Sequence, residues 1–290
     1  MVIFGSSGCG DEFYEQGHEG ILEVPKWIKD YGLDAYEYSF GHGYQMTLDK
    51  AKQAGEVFKE NDVKLSIHAP FYINFANPDE EMFAKTQGYI YTGLKFLRAF
   101  GAERMVFHPA SCGKLTREDA VSLTNERFKQ TFDKMEEDGL LEGLLLCPET
   151  MGKTMQIGTW REVIDLCKTN KHLVPTFDFG HINSLEQGLL KTEDDYKRIF
   201  DYSIKTLGRE RTNVCHIHFS KIQYGAKGEI KHLNYDDEIY GPSFDPLAKV
   251  LLDYHLNPRV ICESMSMMPH DALIMKKIYL KLLDKWLSMC

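Results

Sequence analysis

The stretch Val63-Lys64-Leu65-Ser66-Ile67-His68 is a short apolar run that ends in a side chain able to bind a metal ion. Five more runs of this kind are followed by a histidine or a carboxylate. Segments of helical period lie between the runs, and strands that alternate with helices predict a parallel sheet. The runs are Val63–Ile67, Met105–Phe107, Gly143–Pro148, Leu173–Phe177, Asn213–Cys215 and Arg259–Cys262, and their ligands are His68, His108, Glu149, Asp178, His216 and Glu263.

Two further runs near the N-terminus, Val2–Gly5 and Ala35–Phe40, complete eight strand–helix units within 290 residues. No proline- or glycine-rich linker and no low-complexity tract separates these units. They predict an α/β protein made of one (β/α)8 barrel, a single domain spanning residues 1–290. Because such barrels keep their chemistry at the C-terminal mouth of the strands, the six ligands are expected to converge there.

The composition predicts a soluble, cytoplasmic protein. Apolar residues make up 43% of the chain, enough for a large core, and no run of about 18 uncharged apolar residues is present to span a membrane. The N-terminal apolar stretch lacks the length and the basic flank of a signal peptide. Seven cysteines, the last of them Cys290, are scattered without a C-x-x-C pair, so reduced thiols are expected.

The net charge of −9 argues against a protein that holds nucleic acid through a strong overall basic field. It does not exclude nucleic acid, because bound divalent ions offset negative charge locally and a basic rim can surround an acidic body. Six basic residues near the predicted mouth could form such a rim, or could be ordinary solvated charges. They are Lys114, Arg117, Lys153, Lys221, Lys227 and Lys231.

The ligand types indicate a transition metal, because carboxylates and neutral imidazoles together favour Zn2+, with Mn2+ or Fe2+ as the alternatives. In His216-Ile217-His218 only one imidazole is expected to point inward, and His216 is the predicted ligand, with a lesser role for His218. A cluster of this size can hold more than one ion. Paired ions suit phosphate-ester hydrolysis, since one activates water while the other stabilises the developing charge.

The longest irregular stretch runs from about residue 220 to residue 246 and contains Glu229, His232, Asp236 and Asp237. Loops of this length are usually functional or disordered, and these four residues favour a functional loop. The chain contains neither a G-x-S-x-G nucleophile elbow nor a Walker A loop. A metal-activated hydroxide is therefore the predicted attacking group, rather than a protein nucleophile.

Five short motifs follow one another through the ligands: Ser66-Ile67-His68-Ala69-Pro70-Phe71-Tyr72-Ile73-Asn74, Phe107-His108-Pro109-Ala110-Ser111, Pro148-Glu149-Thr150, Phe177-Asp178-Phe179-Gly180-His181 and Cys262-Glu263-Ser264. In order and spacing they resemble endonuclease IV, within the xylose-isomerase-like superfamily, over about two-thirds of the chain. That family is a (β/α)8 barrel with a three-zinc site that cuts DNA on the 5′ side of abasic sites. The resemblance thus implies a zinc-dependent repair nuclease whose partner is damaged double-stranded DNA.

The resemblance also assigns each ligand to an ion. Glu149 would bridge the first two ions and Glu263 would orient the attacking hydroxide, which makes these two the catalytic residues. The family's third ion uses an Asp-x-His pair, but residues 229–232 read Glu-Ile-Lys-His, so Ile230 stands in the aspartate's place; either Glu229 substitutes or the third site is weak or empty. The implied ligands are His68, His108 and Glu149 for the first ion, Glu149, Asp178, His216 and Glu263 for the second, and His181 and His232 for the third.

The DNA-reading loops match the family less fully than the metal ligands do. The family inserts an arginine from the second loop and an aromatic side chain from the third loop into the DNA stack. Phe71, with Tyr72 beside it, would be the aromatic wedge, and Asn74 is a further predicted substrate-binding residue. Residues 40–46 contain no arginine, and Ser6-Ser7 stands where endonuclease IV commonly has a histidine.

Two other functions stay open. Sugar isomerases and epimerases of the same superfamily use one Mn2+, Mg2+ or Co2+ ion held by Glu, Asp, His and Glu, a set that the ligands of the second ion also provide. His68 and His108 discriminate, because an epimerase does not need them as ligands. Glu37 would contact a sugar in that alternative and is otherwise expected to be a solvated carboxylate at a strand end. The third alternative is a barrel that only binds a ligand; a monomer is expected.

Overall fold

A computed structural model describes residues 1–288 and contains twelve strands within them. Eight of the strands are three to five residues long and carry apolar side chains, and the other four form two separate antiparallel pairs. The strands are β1 (Ile3–Ser7), β2 (Ala35–Ser39), β3 (Lys64–His68), β4 (Arg104–Phe107), β5 (Ala110–Ser111), β6 (Leu145–Pro148), β7 (Gln156–Ile157), β8 (Thr176–Asp178), β9 (His216–Phe219), β10 (Lys221–Gly225), β11 (Gly228–Leu233) and β12 (Arg259–Cys262).

The eight apolar strands form one parallel sheet in the order β6-β4-β3-β2-β1-β12-β9-β8. Two parallel bridges, Leu146 to Leu173 and Glu149 to Thr176, bring the two edges of this sheet together. The sheet is therefore a nearly closed barrel, and the predicted (β/α)8 fold is confirmed. Parallel register places the C-terminal ends of all eight strands at one mouth.

Within residues 1–288, eleven helices connect the strands and cover the outside of the barrel. Side-chain caps begin several of them; Thr47 and Asp79, for example, each accept the backbone N–H three residues ahead. The helix that begins after Asp79 is capped at its C-terminal end by Gly101. The φ of Gly101 is 63°, a left-handed conformation that glycine adopts at little cost. The helices are α1 (Gly10–Glu15), α2 (Val24–Asp30), α3 (Leu48–Glu60), α4 (Glu80–Phe100), α5 (Arg117–Glu137), α6 (Trp160–Cys167), α7 (Phe179–Leu185), α8 (Glu193–Leu207), α9 (Arg209–Asn213), α10 (Phe244–Asp253) and α11 (Met268–Leu287).

The core between sheet and helices is apolar, while the interior of the barrel carries polar groups. Phe75, Phe107 and Phe128 pack together outside the barrel, with ring centroids of Phe75 and Phe128 4.6 Å apart. Inside, Arg259 on β12 donates to the carbonyl of Leu65 on β3 across the N-terminal end of the barrel. A buried polar group of this kind costs free energy wherever it lacks a partner.

Two sequence predictions about the seventh strand and its loop are wrong. The run Asn213–Cys215 is not a strand, because α9 extends to Asn213 and β9 begins at His216. The stretch from residue 220 to residue 246 is not irregular throughout, because β10 and β11 form an antiparallel hairpin. These differences place His216 at the start of β9 and His232 on β11.

Within residues 1–288, none of the helices is long and apolar enough to cross a membrane. The six cysteines of this part of the chain are buried and unpaired, in agreement with the expectation of reduced thiols. Cys290 lies outside the described residues.

Candidate metal centre

A cavity of about 360 Å³ opens at the C-terminal ends of the barrel strands. His68 ends β3, and His108, Glu149 and Glu263 directly follow β4, β6 and β12, so the topology brings all four to its wall. A larger cleft of about 450 Å³ opens at the other end of the barrel, but no group of metal-type ligands in residues 1–288 lines it. The mouth is therefore the candidate site.

A first group of ligands consists of His68, His108 and Glu149. Oε2 of Glu149 lies 3.1 Å from Nε2 of His68 and 3.3 Å from Nε2 of His108. The Nδ1–H of His68 donates to the carbonyl of Ala69 at 2.8 Å. This bond leaves the Nε2 lone pair of His68 free, and such fixing of the tautomer is typical of metal-binding histidines.

A second group shares Glu149 and adds Asp178, His218 and Glu263. Nδ1 of His218 lies 3.2 Å from Oε1 of Glu149 and 3.2 Å from Oε2 of Glu263. Because Oε2 of Glu149 faces the first group and Oε1 faces the second, this carboxylate can bridge two ions. Three carboxylates and one imidazole suit a borderline divalent ion such as zinc or manganese.

The structure places His218 in the second group, whereas the sequence prediction chose His216. Residues two apart on a strand point to the same face, so both imidazoles point into the barrel, and the expectation that only one does so is wrong. Since β9 begins at His216, that residue lies one layer deeper, with its Nε2 3.1 Å from Oε2 of Glu37. His218 is the imidazole at the level of the mouth.

Glu37 is also placed differently from the sequence expectation of a solvated strand-end carboxylate. It lies in the middle of β2 and is fully buried. Oε1 accepts from Nε2 of His218 at 2.8 Å, and Oε2 accepts from the hydroxyl of Ser66 at 2.8 Å. Its position inside a predicted barrel strand was the available signal, because alternate residues of such a strand face the barrel interior.

A third group consists of His181, Glu229 and His232. The two oxygens of Glu229 lie 3.5 Å from Nε2 of His181 and 3.9 Å from Nε2 of His232. Nδ1–H of His181 donates to the carbonyl of Thr150 at 2.9 Å, and Nδ1 of His232 lies 2.9 Å from the hydroxyl of Ser220. Both histidines thus present Nε2 to the same carboxylate.

A β-bulge explains how Glu229 replaces the expected aspartate. In the hairpin His232 pairs with Ile222, but Glu229 pairs with Tyr224, so Ile230 is an extra residue that has no partner of its own. Opposed residues share a face of a hairpin, as do residues two apart on one strand. Glu229 therefore lies on the face of His232, and the insertion of Ile230 leaves the pair of ligands intact.

The charges of the carboxylates are balanced by imidazoles. Burial raises the pKa of Glu149, but the charge of His218, together with hydrogen bonds from His108 and His181, holds this pKa well below its ordinary value. Burial likewise opposes ionisation of Glu263, but the nearby His218 outweighs it and lowers the pKa to about 2. Both carboxylates are therefore available as anionic ligands at neutral pH.

Asp178 is the carboxylate whose environment fits a missing cation best. Burial, together with the charge of Glu149, raises the pKa of Asp178, and its buried Oδ2 has no hydrogen-bond partner among residues 1–288. A buried oxygen without a donor costs free energy. Coordination of a metal ion would satisfy this oxygen, so the residues present fit the implied metal site.

Of the predicted substrate-binding residues, two lie at the mouth. Phe71 and Tyr72 are 48% and 52% exposed, and the ring of Phe71 stacks on that of His108 with centroids 5.4 Å apart. His42, which the sequence reading did not single out, stands beside both aromatic rings. Asn74 is not brought to the cavity, because its side chain bonds the backbone of Ala76 and Ser111.

The predicted basic rim is only partly free. Arg117 forms a two-armed ion pair with Glu162, and Lys221 donates to the carbonyl of Asp237. The other four members of the rim, all lysines, are exposed: Lys114, Lys153, Lys227 and Lys231. Of these, Lys153 has its Nζ 3.9 Å from a carboxylate oxygen of Glu229.

Comparisons with known proteins agree with the barrel fold. Residues 25–278 match the family model of the xylose isomerase-like TIM barrel. An uncharacterized protein of Methanocaldococcus jannaschii is 31% identical over 96% of this chain and 97% of its own length. A protein of Acholeplasma laidlawii named "Probable endonuclease 4" is 27% identical over 72% of this chain and 75% of its own length. The resemblance drawn from the motifs is thereby confirmed.

Solved structures of different enzymes resemble the fold. Endonuclease IV from Thermus thermophilus superposes with a TM-score of 0.64 and 16% identity, covering 97% of this chain and 98% of that chain. An L-ribulose 3-epimerase superposes with a TM-score of 0.69 and 11% identity, covering 100% and 98%. At these identities both likenesses concern the barrel alone, and the choice between the two chemistries depends on the ligands.

Proposed function

The chain belongs to the xylose isomerase-like TIM barrel family, and we propose that it is a metal-dependent phosphodiesterase, a zinc-dependent endonuclease that cuts damaged double-stranded DNA on the 5′ side of abasic sites. The observation that carries the proposal is the meeting of three ligand groups at one mouth, with Glu149 shared by the first two. Paired ions suit hydrolysis of a phosphate ester, because they stabilise both the attacking and the leaving oxygen, whereas the single-metal sugar epimerases need only the second group. The name of the A. laidlawii relative supports the same substrate class.

The proposed ions are two or three Zn2+, with Mn2+ or Fe2+ as alternatives, because each group mixes imidazole and carboxylate ligands. When bound, such ions lower the pKa of a water molecule towards about 7 and neutralise charge on the phosphate. Glu149 holds the first two sites together through its two oxygens. The protein ligands are His68, His108 and Glu149 at the first site, Glu149, Asp178, His218 and Glu263 at the second, and His181, Glu229 and His232 at the third.

Glu263 is the residue proposed to orient the attacking hydroxide. It is the most exposed member of the second group, with 17% of its side chain accessible, and it lines the cavity. Its lowered pKa, about 2, keeps the carboxylate a hydrogen-bond acceptor at neutral pH. A carboxylate in this position can accept a hydrogen bond from the attacking oxygen and hold it in line with the phosphorus.

The rim of the cavity supports a nucleic acid substrate through aromatic rather than basic residues. Phe71 and Tyr72 are exposed, and His42 lies beside them in the loop that lacks the family's arginine. Aromatic side chains can occupy the gap that an abasic site leaves in a base stack. The exposed Lys227 and Lys231 on the hairpin add positive charge near the mouth.

Cleavage of a labelled duplex that carries one abasic-site analogue tests the proposal, with the metal content of the protein counted by elemental analysis. We expect incision 5′ to the lesion by protein that holds two or three ions, and none of the intact duplex. His68→Ala should lose both an ion and the incision. Absence of incision by protein that holds three zinc ions would refute the assignment of DNA as substrate.

A single-metal sugar isomerase or epimerase is the second candidate, and a specific observation favours it. Glu149, Asp178, His218 and Glu263 form a complete site for one Mn2+, Mg2+ or Co2+ ion that needs neither the histidines of the first group nor any member of the third. In such an enzyme two carboxylates move a proton beside a carbonyl. Epimerisation of a ketose by protein that holds one ion, unaffected by His68→Ala, would decide for this candidate.

A further inference from the structure

Beneath the second ligand group lies a set of polar side chains that the proposed reaction does not use. Glu37, Ser66 and His216 are fully buried, and none of them lines the cavity at the mouth. They meet His218, whose other ring nitrogen faces the second group. His218 is therefore the link between the buried set and the metal site.

The contact between Glu37 and His218 is a hydrogen bond. Nε2 of His218 lies 2.8 Å from Oε1 of Glu37, whereas the contacts between ligands of the three metal groups measure 3.1 Å or more. Two ligands at about 2.1 Å from one tetrahedral ion lie about 3.4 Å apart, and 2.8 Å departs further from that spacing than any contact within the three metal groups. It is an ordinary distance for an N–H donor and a carboxylate.

We infer that Glu37 is a positioning residue for the second metal site. By accepting the Nε2–H of His218, it fixes the tautomer in which the Nδ1 lone pair points at Glu149 and Glu263. The negative charge of Glu37 also makes that imidazole a stronger donor to a cation. Ser66 in turn donates to the other oxygen of Glu37 at 2.8 Å and holds the carboxylate in place.

Three of the other metal-facing histidines show the same arrangement in a weaker form. His68 and His181 are fixed through Nδ1 by backbone carbonyls, and His232 lies against the hydroxyl of Ser220. His218 alone among these four is fixed by a carboxylate, and it alone presents Nδ1 to the mouth. Glu37 therefore hydrogen-bonds a ligand of the second group directly, whereas its charge reaches His68 of the first group only across a longer distance.

This inference rests on the metal sites of the proposed function and not on its substrate, so metal binding tests it without DNA. Zinc-loaded protein is titrated with a chelator, and the number and affinity of the zinc ions are compared in wild type, Glu37→Ala and Glu37→Gln. In Glu37→Ala one ion should bind about 10- to 100-fold more weakly while the affinities of the others stay unchanged. Glu37→Gln keeps a hydrogen-bond acceptor but not the charge, so its affinity for that ion should lie between those of the wild type and Glu37→Ala. This variant decides the test if the alanine variant does not fold.

A matched control and a double variant separate positioning from a general structural role. Asp271→Asn removes another buried carboxylate, which bonds the backbone of Tyr235, and should leave every zinc affinity unchanged. In an Asp178→Asn background, where the second site is already impaired, Glu37→Gln should have no further effect on the remaining ions. Equal weakening of all ions, or no weakening of any, would overturn the inference.

The same titration distinguishes two other outcomes. Four zinc ions in the wild type and three in Glu37→Ala would mean that Glu37, His216 and His218 hold an ion themselves, which also overturns the positioning role. Selective weakening of one ion in a protein that does not cut abasic DNA would sustain the inference and refute only the proposed substrate.

Discussion

Gly152 is the position where a single methyl group should separate the third metal site from the other two. A Cβ at residue 152 would lie 2.7 Å from Cδ2 of His181, 2.8 Å from Cβ of Glu229 and 2.9 Å from Oε2 of Glu229. Contacts under 3.0 Å are not tolerated, so two of the three ligands of this site must move. Gly152→Ala thus acts on the third site through its ligands without removing one.

The backbone at Gly152 cannot retreat from these contacts. Its carbonyl accepts hydrogen bonds from the N–H of Glu229 at 2.8 Å and from the hydroxyl of Ser184 at 3.1 Å. The displacement therefore falls on the side chains of His181 and Glu229. Overpacking by one carbon costs about 1–3 kcal/mol, which at the third site corresponds to about 5- to 150-fold weaker binding of its ion.

The assay is chelator competition on zinc-loaded protein, with Gly88→Ala as the matched control. Gly88 lies on α4 with nothing within 4 Å of an added Cβ, so this variant should bind zinc as the wild type does. Gly152→Ala should weaken one ion and leave the two at the Glu149 sites unchanged. Unaltered binding of three ions by Gly152→Ala would refute the assignment of His181 and Glu229 to a common ion.

Three further predictions concern catalysis, recognition and pH. Glu263→Gln should fold normally while kcat of the metal-loaded variant falls about 10²- to 10⁴-fold, and incision by that variant at a near-wild-type rate would remove Glu263 from the catalytic role. Phe71→Ala should weaken binding to a duplex with an abasic site by about 1–3 kcal/mol and binding to intact duplex by less, as measured by fluorescence anisotropy, and equal losses would exclude it as a wedge. Burial alone lowers the pKa of His181, but Asp178 and Glu149 outweigh it and raise this pKa to about 10 in the metal-free protein. Since the folded pKa lies above the unfolded one, this group stabilises the metal-free protein fully below about pH 6.5, and that contribution is lost as pH rises through about 10. Zinc uptake near pH 7 should therefore release a proton from His181, and a pH-stat titration in which His181→Ala releases as many protons as the wild type would contradict this.

The sequence predicted the barrel and most of the side chains that meet at its mouth, because both depend on local patterns. Short apolar runs ending in His68, His108 and Glu149 identify strand ends whatever the packing around them. The choice between His216 and His218 depended on where β9 begins, and the helix α9 occupies the residues predicted to be its strand. A shift of three residues in a strand boundary was enough to exchange the ligand.

The bulge and the buried carboxylate could not be read from the sequence for a different reason. If β11 were regular, Ile230 would lie on the same face as His232; because β11 is bulged, Glu229 lies there instead. Whether the strand is bulged depends on its pairing with β10. Glu37 was taken for a solvated carboxylate because its partners, Ser66 and His218, are 29 and 181 residues away along the chain. Partnerships at such separations exist only once the barrel closes.

The tautomers of the histidines argue for several ions rather than one. A histidine that serves only to fill a core satisfies both ring nitrogens with protein groups. His68, His181 and His232 instead each commit Nδ1 to a backbone or hydroxyl oxygen and direct Nε2 at a carboxylate shared with a second imidazole. Two imidazoles directed at one carboxylate can each donate to it only if Nε2 carries a hydrogen, and for His68 and His181 that means a second ring proton and a buried positive charge. A divalent ion in each group removes the need for those protons and is held by the same atoms. One ion at the second site would leave the arrangement of the other two groups without a cause, which is why a multinuclear phosphodiesterase accounts for more of this mouth than a sugar epimerase does.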